Sequence, residues 1–143
     1  MSDLGDHIAG APITWGVDGS PGWGFLMDRD RVMAEMKQVG LSATEIGPDG
    51  YLPTDPAELR EYVAGFGLEV VGGFVPAVLH IQDRFEAGLD YVERASTLLA
   101  AAGAKVLVLG PTSHLDGYDT SITLSEAEWA VFFQNLRRLQ DVA

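Results

Sequence analysis

The sequence predicts an α/β fold: four parallel strands, each followed by a helix, a (βα)4 unit equal to half of an eightfold (β/α)8 TIM barrel. Three observations predict it. Apolar, β-branched runs alternate four times with stripes at helical spacing, which implies parallel strands joined by right-handed crossovers. Glycine follows each of the first three helical runs, at Gly40, Gly67 and Gly103, where a helix end favours a left-handed residue. The connections are also unequal. Those after helices are short, whereas those after strands are long and hold most of the unusual residues, on the side where α/β folds bind ligands. An eightfold barrel takes about 250 residues; this chain has 143 and is read as a single unit over residues 1–143. A flavodoxin-like sheet, normally of five strands, is the alternative.

Residues 8–15, Ile-Ala-Gly-Ala-Pro-Ile-Thr-Trp, read as the first strand, with Pro12 favouring its end or a sheet edge. A glycine-rich loop follows. Asp28 or Asp30 caps a first helix in which Val32, Met36 and Val39 recur at helical spacing. Thr44-Glu45-Ile46 is a short second strand, closed by the turn Gly47-Pro48-Asp49-Gly50. Asp55-Pro56-Ala57-Glu58 opens the second helix with a capping acid, a proline at the first helical position and an acid three residues on. Leu59, Tyr62, Val63 and Phe66 fall on one face of it.

The third strand is the run beginning at Val70-Val71, with pairing expected to stop near Pro76, which has no N–H to donate. Its helix spans about Asp83 to Ala102, with Phe85, Leu89, Val92 and Leu99 inward. Lys105-Val106-Leu107-Val108-Leu109 is the clearest strand. Ser125 and Glu128 form a capping box, and Trp129, Phe132, Phe133, Leu136 and Leu139 make the last helical stripe, with Trp129 expected in the core.

Composition bounds the chemistry. The hydrophobic fraction is 47% and mean hydropathy is +0.10, enough for a real core. No apolar run approaches the roughly 20 residues of a membrane helix, and the acidic start Met1-Ser2-Asp3 does not read as a signal peptide. There is no cysteine, which excludes disulfides, thiolate zinc sites and a cysteine nucleophile and agrees with a reducing cytoplasm. Net charge is −12, so a nucleic-acid backbone is repelled at long range. Neither a phosphate-binding Gly-x-x-x-x-Gly-Lys-Ser/Thr nor a Gly-x-Gly-x-x-Gly between strand and helix occurs, which argues against nucleotide cofactors.

Three stretches carry a family resemblance: Ile8-Ala9-Gly10-Ala11-Pro12-Ile13-Thr14-Trp15-Gly16-Val17, Pro21-Gly22-Trp23-Gly24, and Ala43-Thr44-Glu45-Ile46-Gly47-Pro48-Asp49-Gly50-Tyr51-Leu52-Pro53. With Gly72-Gly73-Phe74-Val75-Pro76 and Leu79-His80, they resemble the inosose dehydratases of the xylose-isomerase-like superfamily. The resemblance covers nearly all of the chain but only the N-terminal half of the family's length. It implies a barrel acting on sugars or cyclitols, exemplified by dehydration of 2-keto-myo-inositol, with a divalent metal (Mn or Co) in the full-length family. That metal's ligands sit mostly on strands of the second half, so this chain alone is expected to hold no metal tightly. The implied partners are a small sugar or cyclitol, and either further copies of the chain or a missing C-terminal half.

Four residues are candidate substrate contacts: Trp15, Glu45, His80 and His114. Glu45 lies in an otherwise apolar strand, where an unpartnered carboxylate is costly. It reads as an acceptor for sugar hydroxyls, or else as half of an ion pair with a helix cation. His80 follows the third strand on the ligand side and suits a metal, a proton or a hydroxyl; an exposed loop histidine is the competing reading. His114 lies in the fourth loop, and related superfamily members use histidines from comparable loops as zinc ligands. Trp15 and Trp23 flank the first loop, where indole faces pack on sugar C–H surfaces; ordinary core or lid packing is the competing reading. His7 reads as inert and Asp49 as a turn former. No catalytic base is assigned.

Overall fold

The computed structural model describes residues 8–16, 24–115 and 120–142. Strands β1 (Ala9–Gly10), β2 (Ala43–Glu45), β3 (Glu69–Ala77) and β4 (Val106–Pro111) alternate with helices α1 (Arg29–Gln38), α2 (Pro56–Gly65), α3 (Gln82–Ala101) and α4 (Glu126–Gln140). The strands make one sheet in the order β1-β2-β3-β4. β1 runs parallel to β2, with Ala9 opposite Ala43, and β2 parallel to β3, with Thr44 opposite Val70. Between β3 and β4 the Lys105 N–H reaches the Val71 carbonyl at 3.4 Å and the Thr112 N–H reaches the Ala77 carbonyl at 3.0 Å. Chain order thus equals sheet order, the (βα)4 arrangement of half an eightfold barrel. A flavodoxin-like sheet would instead run 2-1-3-4-5.

The helices begin where the caps predict. Asp28 accepts from the Arg31 N–H at 3.0 Å. Asp55 accepts from Ala57 and Glu58 with Pro56 at the first position, and Ser125 and Glu128 complete a reciprocal capping box. Each such cap stabilises its helix by about 1 kcal/mol. Gly40 and Gly103, after α1 and α3, both stand at φ +91°, a region side chains resist.

One strand is shorter than the sequence expectation. β1 is only Ala9–Gly10, because Pro12 opens a 3-10 turn over Pro12–Thr14. β3 ends at Ala77, one residue past Pro76, near where a missing donor is expected to stop the pairing.

The chain divides into two compact units. The first comprises Met1–Phe74 and Leu98–Val106, and its buried residues include Val32, Met33 and Met36 of α1, Leu59 and Val63 of α2, and Val70 and Leu99. The second comprises Val75–Thr97 and Leu107–Ala143. Its core is Val75, Leu79, Phe85, Val92 and Leu139, with Leu107, Leu109, Phe132 and Leu136 packed against them. In that unit Arg138 on α4 bridges to both carboxylate oxygens of Glu86 on α3 and lies 4.8 Å over the Phe85 ring.

Trp129 is not a core residue: it is 44% exposed. On α4, Phe132, Asn135, Leu136 and Leu139 face inward, and at 100° per residue Trp129 and Phe133 fall roughly 70–110° to one side of them. The two rings stack on each other at 5.6 Å on that flank. Among the described residues, no helix is long and apolar enough to cross a membrane.

Candidate functional site

The second unit holds the arrangement with most chemistry. β3 and β4 are neighbours in the sheet, so the segments that leave their C-terminal ends meet. His80 from the first and His114 from the second come together, His80 Nε2 to His114 Nδ1 at 3.1 Å, with ring centroids 5.3 Å apart. One nitrogen donates and the other accepts. The environments are opposite: His80 is only 5% exposed, whereas His114 is exposed.

Glu128, in the first turn of α4, is coupled electrostatically to both rings. The Ser125 amide and hydroxyl both donate to its Oε2 at 2.7 Å. These two bonds hold its carboxyl below the usual range; burial opposes them, and His80 and His114 each add to the lowering. Two turns along α4, Asn135 is fully buried. Its Nδ2 donates to the Leu79 carbonyl at 3.0 Å and to Gln82 Oε1 at 3.2 Å. The two acceptors flank His80 in sequence, so Asn135 pins the segment that carries this imidazole. Asn135 Oδ1 has no hydrogen-bond partner among the described residues. Asn135 escaped the sequence reading, since a polar residue inside an apolar stripe has no periodic signature.

Trp15 and Glu45 belong to the first unit. Trp15 closes the 3-10 turn after β1 and donates its indole N–H to Glu35 on α1 at 2.9 Å. The Arg31 guanidinium, 2.7 Å away, is the main reason the Glu35 carboxyl lies below its ordinary value, and the indole adds to it. Glu45 ends β2 and is half-buried, with its carbonyl accepting from Thr44 Oγ1 at 2.8 Å. Its carboxylate makes no ion pair among the described residues. An open cleft of about 360 Å³ in this unit is lined by Leu26, Asp28, Arg29, Asp49, Gly50 and Tyr51, and contains none of the four candidates. Trp23 and His7 lie outside the described residues.

The donors among the described residues do not fit a divalent metal. Among the described residues, no group of three or more histidine, aspartate or glutamate side chains is placed to hold one, and catalytic metal sites generally use three protein ligands. His80 and His114 supply two nitrogens, which bond to each other.

No family model matches the chain. It is 29% identical over 140 residues to an inosose dehydratase of Geobacillus kaustophilus, covering 92% of this chain and 45% of that protein. It is 33% identical over 145 residues to the rhizopine catabolism protein MocC of Rhizobium meliloti, covering 95% of this chain and 42% of that protein. Among solved structures, an L-ribulose 3-epimerase superposes with a TM-score of 0.67 at 12% identity, over 94% of this chain and 45% of that one. A 3-keto-D-glucoside 4-epimerase from E. coli gives 0.60 at 21% identity, over 90% and 51%. The chain thus spans about half the length of the relatives it matches, and the two structures share its fold.

Proposed function

We propose that this chain, a half-length relative of the inosose dehydratase-like proteins in the xylose-isomerase-like superfamily, forms the N-terminal half of a cytoplasmic sugar or cyclitol lyase or isomerase. Its ligand is a small polyhydroxylated carbonyl compound, with 2-keto-myo-inositol the first candidate. The observation that carries this reading is the His80–His114 pair at the ends of β3 and β4, the end of a parallel α/β fold where ligands bind. A paired imidazole can hydrogen-bond a hydroxyl or carbonyl oxygen and hold the proton that moves when a C–H next to a carbonyl is broken. Divalent-metal dependence, expected of the full-length family, would be met by ligands outside these 143 residues, and no step here is drawn through a metal.

Isothermal titration of the 143-residue chain with 2-keto-myo-inositol tests the reading. We expect saturable binding that weakens at least several-fold in His80→Ala; no binding heat at millimolar ligand would contradict it.

A second reading is a non-catalytic half-barrel that self-associates. It is favoured by exposed apolar residues on the sheet, where Phe74 is 53% and Val106 50% exposed.

A further inference from the structure

We propose that His114 and His80 form a proton relay, linking solvent to a buried imidazole through one shared hydrogen. This deepens the ligand-binding reading above and rests on it only for the identity of the final acceptor. The geometry makes the case. A buried base is useful in acid–base chemistry only if its proton can be exchanged, and His80 is 95% withdrawn from solvent by its 5% exposure. Its Nε2 is engaged by the Nδ1 of an exposed imidazole at 3.1 Å, a hydrogen-bonding distance across which a proton can pass.

The transfer balances on the two rings. A proton arriving from water on His114 Nε2 lets the Nδ1 proton pass to His80 Nε2. The proton on His80 Nδ1 then leaves for a hydroxyl or carbonyl oxygen of the ligand. Each ring gains one proton and loses one, no electron pair leaves either ring, and neither is left charged. The reverse sequence carries a proton out.

Two neighbours on one face of α4 support the relay. Glu128, held by both donors of Ser125, is coupled electrostatically to both rings, and its ionised carboxylate favours the imidazolium formed in passing. Asn135 is a positioning residue: by tying the Leu79 carbonyl and the Gln82 side chain to α4, it fixes His80 in register with His114. The sequence spacing of seven residues sets both side chains on the same side of α4.

Nitrogen-detected NMR of the imidazoles in the 143-residue chain tests this without any ligand. The shared hydrogen is read as a nitrogen–nitrogen coupling between His80 Nε2 and His114 Nδ1, which we expect in the native chain. The relay itself is read from exchange of the His80 imidazole proton with water, which should slow several-fold in His114→Gln. If that variant does not fold, the coupling in the native chain still decides. No such coupling in the native chain, or unchanged His80 exchange in folded His114→Gln, would overturn the relay. The coupling and relayed exchange in a chain that binds no cyclitol would leave the relay standing and remove the ligand reading. Cyclitol binding without the coupling would do the reverse.

Discussion

Asn135 donates twice and, among the described residues, its side-chain oxygen accepts nothing. A fully buried amide with an unpartnered oxygen carries a desolvation cost, yet it occupies a position in the α4 stripe where leucine would pack. Replacing it by leucine removes that oxygen but leaves the Leu79 carbonyl without its donor. We expect Asn135→Leu to destabilise the chain by about 1–3 kcal/mol, seen as a lower urea midpoint with an unchanged slope; a variant as stable as the parent would show that the contact to Leu79 contributes nothing. Ser125 and Glu128 make a pH-dependent counterpart. Glu128's carboxyl is lowered on folding, first by the Ser125 amide, then by the Ser125 hydroxyl. Its contribution is therefore present above the unfolded value, about 4.3, and is lost as pH falls through the lower folded value. Ser125→Ala should cost about 1 kcal/mol at neutral pH, and thermal melts from neutral to about pH 3 should show a shallower acid loss than in the parent. The capping box was legible because its partners are three residues apart. Asn135 was not, since its acceptors lie more than fifty residues away. His80 and His114 were each legible as loop candidates, but their meeting required the neighbouring placement of β3 and β4.

Strand β3 shows how closely its neighbours approach. A Cβ at Gly72 would lie 2.5 Å from the Val106 carbonyl oxygen, a backbone atom that cannot rotate away. Gly72→Ala should force the two strands apart and cost about 1–3 kcal/mol, measured by calorimetric unfolding. The same change at Gly88, where nothing lies within 4 Å, should be neutral or stabilising, since alanine favours helix by about 1 kcal/mol over glycine. Equal effects at both would contradict the close packing of β3 on β4. Helix starts were legible to within a residue because caps are local chemistry. Strand ends were less so. Pro12 shortened β1 to two residues, whereas β3 ends one residue past Pro76, close to its expected end. Trp129 was misplaced because periodicity defines a stripe without saying which flank of it meets another element.

The chain is acidic, spans about half the length of the relatives it matches, and leaves apolar strand residues open to solvent. Val108, like Phe74 and Val106, is exposed. Covering several such side chains contributes about 1.5–3 kcal/mol each, against which a net charge of −12 opposes association mainly at low salt. Sedimentation equilibrium at micromolar concentration should therefore report a dimer or larger species, strengthened by salt and weakened in Val108→Ser. A salt-independent monomer of 15.3 kDa would contradict it. The repeating strand–helix order made the fold class legible from the first glycines onward, while the candidate site depended on which loops the sheet order brings together. Imidazole NMR of the chain with saturating 2-keto-myo-inositol decides whether His80 and His114 receive the proposed polyhydroxylated carbonyl ligand. The resonances of both rings should shift together and saturate with one binding constant. Saturable binding that leaves both rings unmoved would contradict it.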